Sequence, residues 1–320
     1  MRSTEPTVLA LSGGVGGAKL ALGLADVLHP GQLHVMVNTG DDFQHLGLHI
    51  CPDIDTLLYT LSDNANTLQG WGLEGESWNA MEALQRLDGD TWFRLGDRDL
   101  ATHLWRTGLL AQGESLLQVT DLLAKKLGIS SHIHPMSSAA VRTIVHCEGR
   151  DLPFQHYFVK EQCVPAVTGF SFEGIAEARP NENVIDLLKG TAVSAIVVCP
   201  SNPFVSIDPI LQIPGFWQAL RDAAAPLVLV SPIVAGMALK GPAAKMMAEM
   251  AVPVTALGVA QHYSKYYPDL LDYFVIDETD ATLAGDIAAL GLKVVVTATV
   301  MKDREDKQRL AQFILSLVGD

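Results

Sequence analysis

The residues of this chain that are best suited to chemistry begin with a cluster of glycines near the N-terminus, Gly13, Gly14, Gly16 and Gly17. An apolar run at residues 7–11 precedes the cluster, and a helix-like apolar pattern at residues 18–28 follows it. Glycines between a strand and a helix let backbone N–H groups approach an anion at the helix N-terminus. We therefore predict that these glycines bind a phosphate or a nucleotide, and that Lys19 contributes if its side chain turns back toward the loop.

The glycine cluster matches neither of the two common phosphate-binding motifs. Gly14 and Gly16 fit the dinucleotide fingerprint Gly-x-Gly-x-x-Gly, but Lys19 stands where a third small residue is needed. A P-loop requires Gly-Lys-Ser/Thr, whereas the chain has Ala-Lys-Leu at residues 18–20. The cluster is thus either a phosphate loop of another kind or an ordinary tight turn between a strand and a helix.

A second group of candidate residues is acidic and comprises Asp41, Asp42, Asp53 and Asp55, all within fifteen positions. The group follows the second predicted strand, so in a parallel sheet it emerges beside the glycine cluster. Since Mg²⁺ takes oxygen ligands from carboxylates and substrate phosphates, we predict that these four residues bind Mg²⁺, with Asp42 also assigned to catalysis. The alternative is that Asp53 caps a helix and that the other acids are solvated turn residues.

Two further segments carry polar side chains in patterns that suit a site. In the segment 94–106, the spacing of Asp99, His103 and Arg106 places them along one side of a helix, and a solvated charged face is the alternative. The second segment contains Ser201, Asn202 and Ser206. These three follow a buried strand, and they either hydrogen-bond a nucleotide phosphate or base or satisfy backbone groups in a proline-stiffened turn.

Three other residues are weaker candidates. Lys240 stands beside a helix start at residues 241–242 and either contacts an anion or lies on the surface. His132 and His134 alternate as they would in a strand. Because the sequence places no third ligand nearby, we interpret these histidines as half-buried polar residues rather than metal ligands.

The elements that must position these residues alternate between strands and helices. The predicted strands are 7–11, 33–37, 195–199, 226–230, 254–259, 273–276 and 292–297. The predicted helices include 18–28, 53–61, 78–87, 99–110, 115–127 and one that ends at 189, with Ser77 and Ser115 as N-caps and Gly128 as a C-cap. The segment between them contains two predicted antiparallel strands, AVRTIVHCEG at residues 140–149 and LPFQHYFVKEQ at residues 152–162, around a Gly-Arg-Asp turn at residues 149–151.

This order of elements predicts the α/β class, with a Rossmann-like, doubly wound, mostly parallel sheet and a smaller inserted α/β subdomain. The core is expected to comprise residues 1–130 and 181–320, and the insertion residues 131–180. The insertion is expected to lean over the strand ends, where such folds bind ligands.

Composition and charge limit the class of protein further. A formal net charge of −14 argues against general nucleic-acid binding, because a phosphate backbone requires a basic surface. The four cysteines have no paired metal spacing and are typical of thiols in a reducing compartment. No apolar run reaches the roughly 18 residues that span a bilayer, and the N-terminus lacks the pattern of a signal peptide. We therefore expect a cytoplasmic protein without membrane contact.

Seven segments in order give the chain a resemblance to a known family. They read SGGVGGAKL, VNTGDD, CPDIDTLLYTLSD, WGLEGESWNAM, RLGDRDLATHL, SNPFVSIDPIL and SPIVAGMALKGPAAKMM, and together they cover nearly the whole chain. Each segment alone is weak, while the ordered set resembles the 2-phospho-L-lactate transferase family, called CofD in archaea and FbiA in mycobacteria.

The resemblance implies a specific reaction in the biosynthesis of the deazaflavin coenzyme F-420. A GDP-activated three-carbon acid, derived from phospholactate, phosphoenolpyruvate or phosphoglycerate, transfers its phosphoester unit to the hydroxyl of the deazaflavin Fo, with Mg²⁺ assisting and GMP leaving. Asp55 and Arg98 are implied contacts to Fo, and Asp55 is a candidate base. Members are usually homodimers, and a partner guanylyltransferase supplies the donor.

Two rival functions come from other classes. A nicotinamide-dependent oxidoreductase would need a third small residue in the glycine cluster and an acid at the end of the second strand, where the chain has Asn38. A non-catalytic nucleotide-sugar sensor resembling the gluconeogenesis-factor family would not need the segments CPDIDT and GDRD together. Both segments are intact here, which favours the transferase.

Overall fold

In the computed structural model, the described residues are 7–67, 69–190, 192–238 and 241–319. The strands are β1 (Thr7–Ser12), β2 (Leu33–Val37), β3 (Phe43–His45), β4 (Leu48–Ile50), β5 (His132–Pro135), β6 (Arg142–Cys147), β7 (Arg150–Pro153), β8 (Val167–Glu173), β9 (Val193–Val198), β10 (Leu227–Val230), β11 (Ile233–Val234), β12 (Met237–Ala238), β13 (Tyr273–Asp277) and β14 (Lys293–Thr297). Lys240, a candidate anion contact, lies outside the described residues.

Twelve α-helices occur in the described ranges. They are α1 (Gly14–Val27), α2 (Pro52–Leu61), α3 (Asn79–Arg86), α4 (Asp97–Ala111), α5 (Leu116–Lys126), α6 (Glu182–Lys189), α7 (Asp208–Leu211), α8 (Phe216–Arg221), α9 (Ala243–Glu249), α10 (Ala256–Tyr266), α11 (Ala284–Ala288) and α12 (Arg304–Val318). None of them is long and apolar enough to cross a bilayer.

The central sheet has seven strands in the order β14-β13-β10-β9-β1-β2-β5, and all of its pairings are parallel. The chain builds outward from β1 through β2 to β5 on one side, and from β9 through β10 and β13 to β14 on the other. The strand order therefore reverses between β1 and β9, where doubly wound folds open a crevice for ligands. The predicted Rossmann-like parallel sheet is confirmed.

Both faces of this sheet are buried, because alternate residues of each strand point to opposite sides. Val8 and Ala10 belong to the apolar core that α1, α2, α5 and α12 cover. Leu9 and Leu11 belong to the core on the other face, which α6 to α10 cover together with β6 and β8. The two cores hold β1 rigidly at the centre, and the glycine cluster follows β1 directly.

A smaller antiparallel sheet, in the order β7-β6-β8, contains the predicted hairpin around residue 149. Only Arg150–Pro153 forms the second strand of that hairpin, since His156–Lys160 is a π-helical turn. Within the segment assigned to the insertion, β5 pairs in parallel with β2 at the edge of the central sheet. The division into core and insertion at residues 131 and 180 stays a prediction.

Three further local predictions are wrong. Residues 254–259 are not a strand, because Thr255 caps α10 by accepting a hydrogen bond from the Gly258 N–H, 3.1 Å away. Ser77 does not cap α3; its hydroxyl donates to Asp97, whose carboxylate instead accepts from the N–H groups of Asn79 and Ala80. Ser115 is confirmed as the N-cap of α5, where it forms a capping box with Gln118. The C-cap of α5 is Leu127 rather than the predicted Gly128, which follows it in the left-handed conformation.

Candidate active site

A cavity of about 670 Å³ opens at the carboxyl ends of β1, β9, β10 and β14, where the strand order reverses. Predicted site residues that line it are Gly13, Gly14, Gly16, Lys19, Asp41, Asp53, Ser201, Asn202 and Ser206. The glycine cluster, the acidic loop and the segment after β9 thus meet at one place. A cavity of this volume is large enough for a nucleotide and a second organic molecule.

The helix that follows the glycines begins earlier than predicted, at Gly14 rather than residue 18. A Cβ atom on Gly16 would stand 2.3 Å from the Pro200 carbonyl oxygen. A Cβ atom on Gly17, which is buried behind the cavity wall, would stand 2.4 Å from Ser12 Oγ. Glycine is therefore required at Gly16, because α1 packs directly against the backbone that follows β9, whereas at Gly17 a side chain would displace the hydroxyls of Ser12 and Ser201.

Hydrogen bonds fix the start of α1 to two other segments. The Gly13 N–H donates to Ser201 Oγ at 3.2 Å, and the Gly14 N–H donates to Asp53 Oδ1 at 2.8 Å. Lys19 lines the cavity and its Nζ donates to the Met301 carbonyl at 3.1 Å. The helix N-terminus, with its partial positive charge, consequently faces the cavity next to a lysine.

Asp53 does not cap its own helix, since α2 has Cys51 at its N-cap and no side-chain cap. Its carboxylate lies instead between α1 and β2: besides Gly14, it accepts from Asn38 Nδ2 at 2.9 Å. Burial raises the pKa of Asp53 to about 6, although both of these hydrogen bonds oppose the rise. Asp53 thus crosslinks the elements that surround the cavity.

Asp41 completes a pair of carboxylates in the cavity wall. Burial raises the pKa of Asp41 well above its ordinary value, and the charge of Asp53 raises it further. Asp41 Oδ1 has no hydrogen-bond partner among the described residues. A buried acid whose charged form is disfavoured by burial and by a second acid either takes up a proton or binds a cation.

The structure does not bring Asp42, Asp55 or Arg98 into the described cavity wall. Asp42 lies beside His49; burial raises its pKa, and interactions with His49 and Cys51 oppose this effect. Arg98 is exposed, and its Nη1 donates to the Glu74 carbonyl at 2.8 Å. The substrate roles assigned to these three residues stay predictions.

Asp55 pairs with Arg106 inside the protein. Arg106 Nη1 donates to Asp55 Oδ2 at 3.0 Å and Nη2 donates to Oδ1, which makes the pair bidentate. The Arg106 side chain is fully buried. Although burial opposes the charged form, the Asp55 carboxylate raises the pKa of the Arg106 guanidinium.

His103 and Asp99 continue this network along α4. His103 lies 3.2 Å from Arg106 Nη1 and 3.2 Å from Asp99 Oδ1, and Tyr59 of α2 donates to that same Asp99 oxygen. Asp99, His103 and Arg106 thus share one side of α4, as their spacing predicts. That side is buried against α2, so the alternative of a solvated charged face is wrong.

Ser201, Asn202 and Ser206 line the cavity from the segment after β9. Asn202 Oδ1 also accepts from the Phe204 N–H at 3.0 Å, which caps a π-helical turn at Pro203–Ile207. The prediction that this segment is a turn stabilised by its own polar side chains is therefore confirmed for Asn202. Ser201 and Ser206 line the cavity on either side of it in the sequence.

Five aromatic residues, here called the aromatic wall, also line the cavity, and the sequence pattern does not predict this grouping. The wall comprises Trp71, Trp92, Phe93, Phe154 and Phe158. Trp78 lies outside the described cavity lining, and its ring stacks under the Arg94 guanidinium at 4.2 Å. Ser231 and Thr299 also line the cavity, and their positions just after β10 and β14 are a signal that could have identified them.

Comparisons with known proteins agree with this architecture. The family model described as 2-phospho-L-lactate transferase CofD matches residues 8–309. A phosphoenolpyruvate transferase of Streptomyces griseus is 36% identical over 318 residues, which are 98% of this chain and 98% of the relative. A 2-phospho-L-lactate transferase of Methanosarcina acetivorans is 35% identical, with 97% of this chain and 98% of the relative covered.

A solved structure supports the fold alone. It is a member of the UPF0052 family from Bacillus halodurans, 15% identical to this chain, with a TM-score of 0.65. The match covers 97% of this chain and 99% of the other. The match supports the Rossmann-like α/β fold of the present chain.

Proposed function

The chain belongs to the 2-phospho-L-lactate transferase CofD family and is a transferase, and we propose that it moves a phospho-three-carbon-acid unit from a GDP-activated donor to the hydroxyl of the deazaflavin Fo in coenzyme F-420 biosynthesis. The observation that carries this proposal is the mixed lining of the cavity. The lining includes a helix N-terminus, a lysine and two carboxylates, and it also includes the aromatic wall. A charged diphosphate is complementary to the polar part of the lining, and a flat ring system is complementary to the aromatic part.

The donor diphosphate is proposed to bind at the start of α1. The first-turn N–H groups of α1 have no partners within their own helix, and the helix dipole favours an anion there. Lys19, Ser201 and Ser206 line the same end of the cavity and supply further donors. In a chain with a net charge of −14, such local donors are what makes an anionic substrate bind.

Mg²⁺ is proposed to bind between Asp41 and Asp53. The donor set fits a hard cation, because it consists of carboxylate oxygens and includes the unpartnered, buried Asp41 Oδ1. When bound, Mg²⁺ would neutralise charge on the diphosphate. Hydrogen bonds fix the position of Asp53 in the cavity wall, since its carboxylate accepts from Asn38 Nδ2 and from the Gly14 N–H.

Fo is proposed to stack on the aromatic wall with its hydroxyl directed at the diphosphate. That hydroxyl oxygen forms a bond to the phosphorus that bears the three-carbon acid, the bond from this phosphorus to GMP breaks, and GMP leaves with the bridging oxygen. The hydroxyl proton passes to solvent, because a carboxylate that holds Mg²⁺ is a weak base. Most of the rate enhancement is expected to come from alignment and charge neutralisation.

The three-carbon acid is proposed to be derived from 2-phospholactate or phosphoenolpyruvate, with phosphoglycerate as a third candidate. We further propose that the chain is a cytoplasmic homodimer that receives its labile donor from a guanylyltransferase, as the family resemblance implies. The family match does not favour the nucleotide-sugar sensor, for which binding without turnover would be expected.

The test is mass spectrometry on purified protein supplied with Fo, Mg²⁺, GTP, the guanylyltransferase and each phospho-acid in separate reactions. A three-carbon phosphoester of Fo, with GMP released only when Fo is present, is the expected result. Asp53→Asn should reduce turnover strongly, whereas Asp186→Asn, on an exposed ion pair of α6, should leave it unchanged. Absence of product with every acid, while a known relative is active in the same mixture, would refute the proposal.

A further inference from the structure

Three chemically distinct metal ligands meet behind the cavity wall, in a cluster that the proposed reaction does not use. Asp42, His49 and Cys51 each offer one ligand atom, and these atoms all lie within 4.8 Å of one another. Asp42 is 2% exposed and Cys51 is fully buried. A carboxylate, an imidazole and a thiol are together the donor types that proteins use for Zn²⁺.

The ligand atoms are close enough to share a cation, which would replace the hydrogen bond between the Cys51 thiol and the Asp42 carboxylate. His49 Nε2 lies 3.6 Å from Asp42 Oδ2, which is longer than an ordinary hydrogen bond. In a tetrahedral site with bonds of about 2.0–2.3 Å, ligand atoms stand about 3.3–3.6 Å apart. Asp42 Oδ1 and His49 Nε2 are both buried and have no hydrogen-bond partner among the described residues.

Gln44 is placed to orient the histidine. Its amide nitrogen, Nε2, lies 3.1 Å from His49 Nδ1. The oxygen and nitrogen of an amide exchange places by a simple flip. With its oxygen toward Nδ1, Gln44 would hold the proton on that nitrogen and leave the Nε2 lone pair directed at Asp42, which is how residues around a metal site commonly fix its histidine.

The cluster closes the base of a hairpin. Asp42 precedes β3, His49 lies on β4 and Cys51 follows β4, so a cation would join both ends of the segment 42–51. The cavity residues Asp41 and Asp53 flank that segment on either side. A cation here would fix the relative positions of the two carboxylates without itself lining the cavity.

The cluster of Asp42, His49 and Cys51 differs from a second group of possible metal ligands in the described chain by the position of the nearby arginines. Arg142 and Arg106 are near Asp42 and Cys51 respectively, but Arg106 is already paired with Asp55. In contrast, the cluster of Asp55, Asp99 and His103 contains the Arg106 guanidinium itself, which takes the place of a cation.

We infer that Asp42, His49 and Cys51 form a site for Zn²⁺ or a similar borderline-soft divalent cation, with solvent as the fourth ligand. Binding forms a metal–sulfur bond and releases the Cys51 thiol proton to solvent. The site is separate from the proposed Mg²⁺ position, and it stands or falls independently of the transferase function.

The probe is Co²⁺, added to full-length protein that has been treated with a chelator. The expected result is a near-ultraviolet thiolate-to-cobalt absorption band that saturates at one equivalent, is abolished by Zn²⁺ and survives a large excess of Mg²⁺. A wild-type protein without the band, or one in which Mg²⁺ displaces Co²⁺, would overturn the inference.

Variants assign the ligands. Cys51→Ser should abolish the band, while Cys163→Ser, at a half-exposed cysteine elsewhere, should retain it. His49→Gln should weaken Co²⁺ binding by more than about 100-fold, and Gln44→Ala by about 10-fold. If Cys51→Ser fails to fold by circular dichroism, His49→Gln decides: unchanged Co²⁺ affinity in that variant would overturn the assignment.

Discussion

The buried pair of Asp55 and Arg106 predicts a large and strongly non-additive effect on stability. The Arg106 side chain is fully buried and that of Asp55 is 7% exposed, so neither charge has water as a substitute partner. Removing one member leaves the other charge buried without compensation, which typically costs about 3–5 kcal/mol. At about 1.4 kcal/mol per factor of ten, Arg106→Met should raise the unfolding equilibrium constant about 100- to 1,000-fold or more.

The double variant Asp55→Leu/Arg106→Met should recover most of this loss, since replacing both charges with apolar groups is often nearly neutral. The coupling free energy from the four proteins should therefore be about 3 kcal/mol or larger. The exposed pair of Lys125 and Asp121, whose side chains are 69% and 49% exposed, is the matched control. Lys125→Met should cost less than about 1 kcal/mol.

Urea unfolding followed by tryptophan fluorescence and circular dichroism measures these differences. The reasoning is refuted if Arg106→Met costs no more than Lys125→Met, or if the double variant is as unstable as the sum of the single variants. Turnover of the double variant also tests the predicted catalytic role of Asp55. Retained turnover would show that Asp55 is neither the base nor an essential contact to Fo, whereas a folded but inactive double variant would fit either that role or the loss of the α2 orientation that places Asp53.

Two further predictions concern the glycine turn and the sheet edge. In Gly16→Ala the new Cβ atom would stand 2.3 Å from the Pro200 carbonyl oxygen, so α1 or the Pro200 backbone must move by about 0.7 Å to reach 3.0 Å, and turnover should fall about 100-fold. The control is Gly108→Ala, at a helical position open to solvent, which should keep its turnover and gain about 0.5–1 kcal/mol in free energy of unfolding. Equal turnover in the two variants would contradict this prediction. The pKa values of His34 and His134 are lowered to about 4 by burial and by neighbouring histidines, so the unfolded chain binds more protons between pH 6.5 and pH 4. The contribution of these histidines to the free energy of unfolding should be fully present above pH 6.5, and the free energy should fall by about 3 kcal/mol as the pH drops to 4. Urea unfolding curves measured across this pH range should show a weaker pH dependence for His34→Gln than for the wild type.

The central sheet could be predicted because its strands are short apolar runs that are buried on both faces, as in β9 and β10. The same rule failed at residues 254–259, which are equally apolar. There the Thr255 hydroxyl and the close contact of Gly258 with Pro253 select a helix start, and neither interaction is visible in hydrophobic pattern. Local pattern therefore predicts strands reliably only where no capping residue offers the backbone a helical alternative.

The meeting of the glycine turn and the acidic loop at one end of the sheet also followed from the sequence, because parallel strands share a carboxyl edge. The aromatic wall did not. Trp92 and Phe93 precede α4, while Phe154 and Phe158 lie in and beside a π-helical turn that had been expected to be a strand. Their convergence depends on how the small sheet packs over the large one, and no spacing along the chain encodes that distance.

The acidic loop shows why four clustered carboxylates do not make one site. Successive residues of an α-helix are about 100° apart, so Asp53 and Asp55 in the first turn of α2 point about 200° apart. Asp53 consequently faces the cavity and the start of α1, and Asp55 faces α4 and Arg106. The pairing of Asp55 fixes the rotation of α2 about its axis, and this rotation is what directs Asp53 at Gly14. A residue that looks catalytic by its type and neighbourhood can thus serve catalysis through geometry, by setting the direction in which the adjacent carboxylate points.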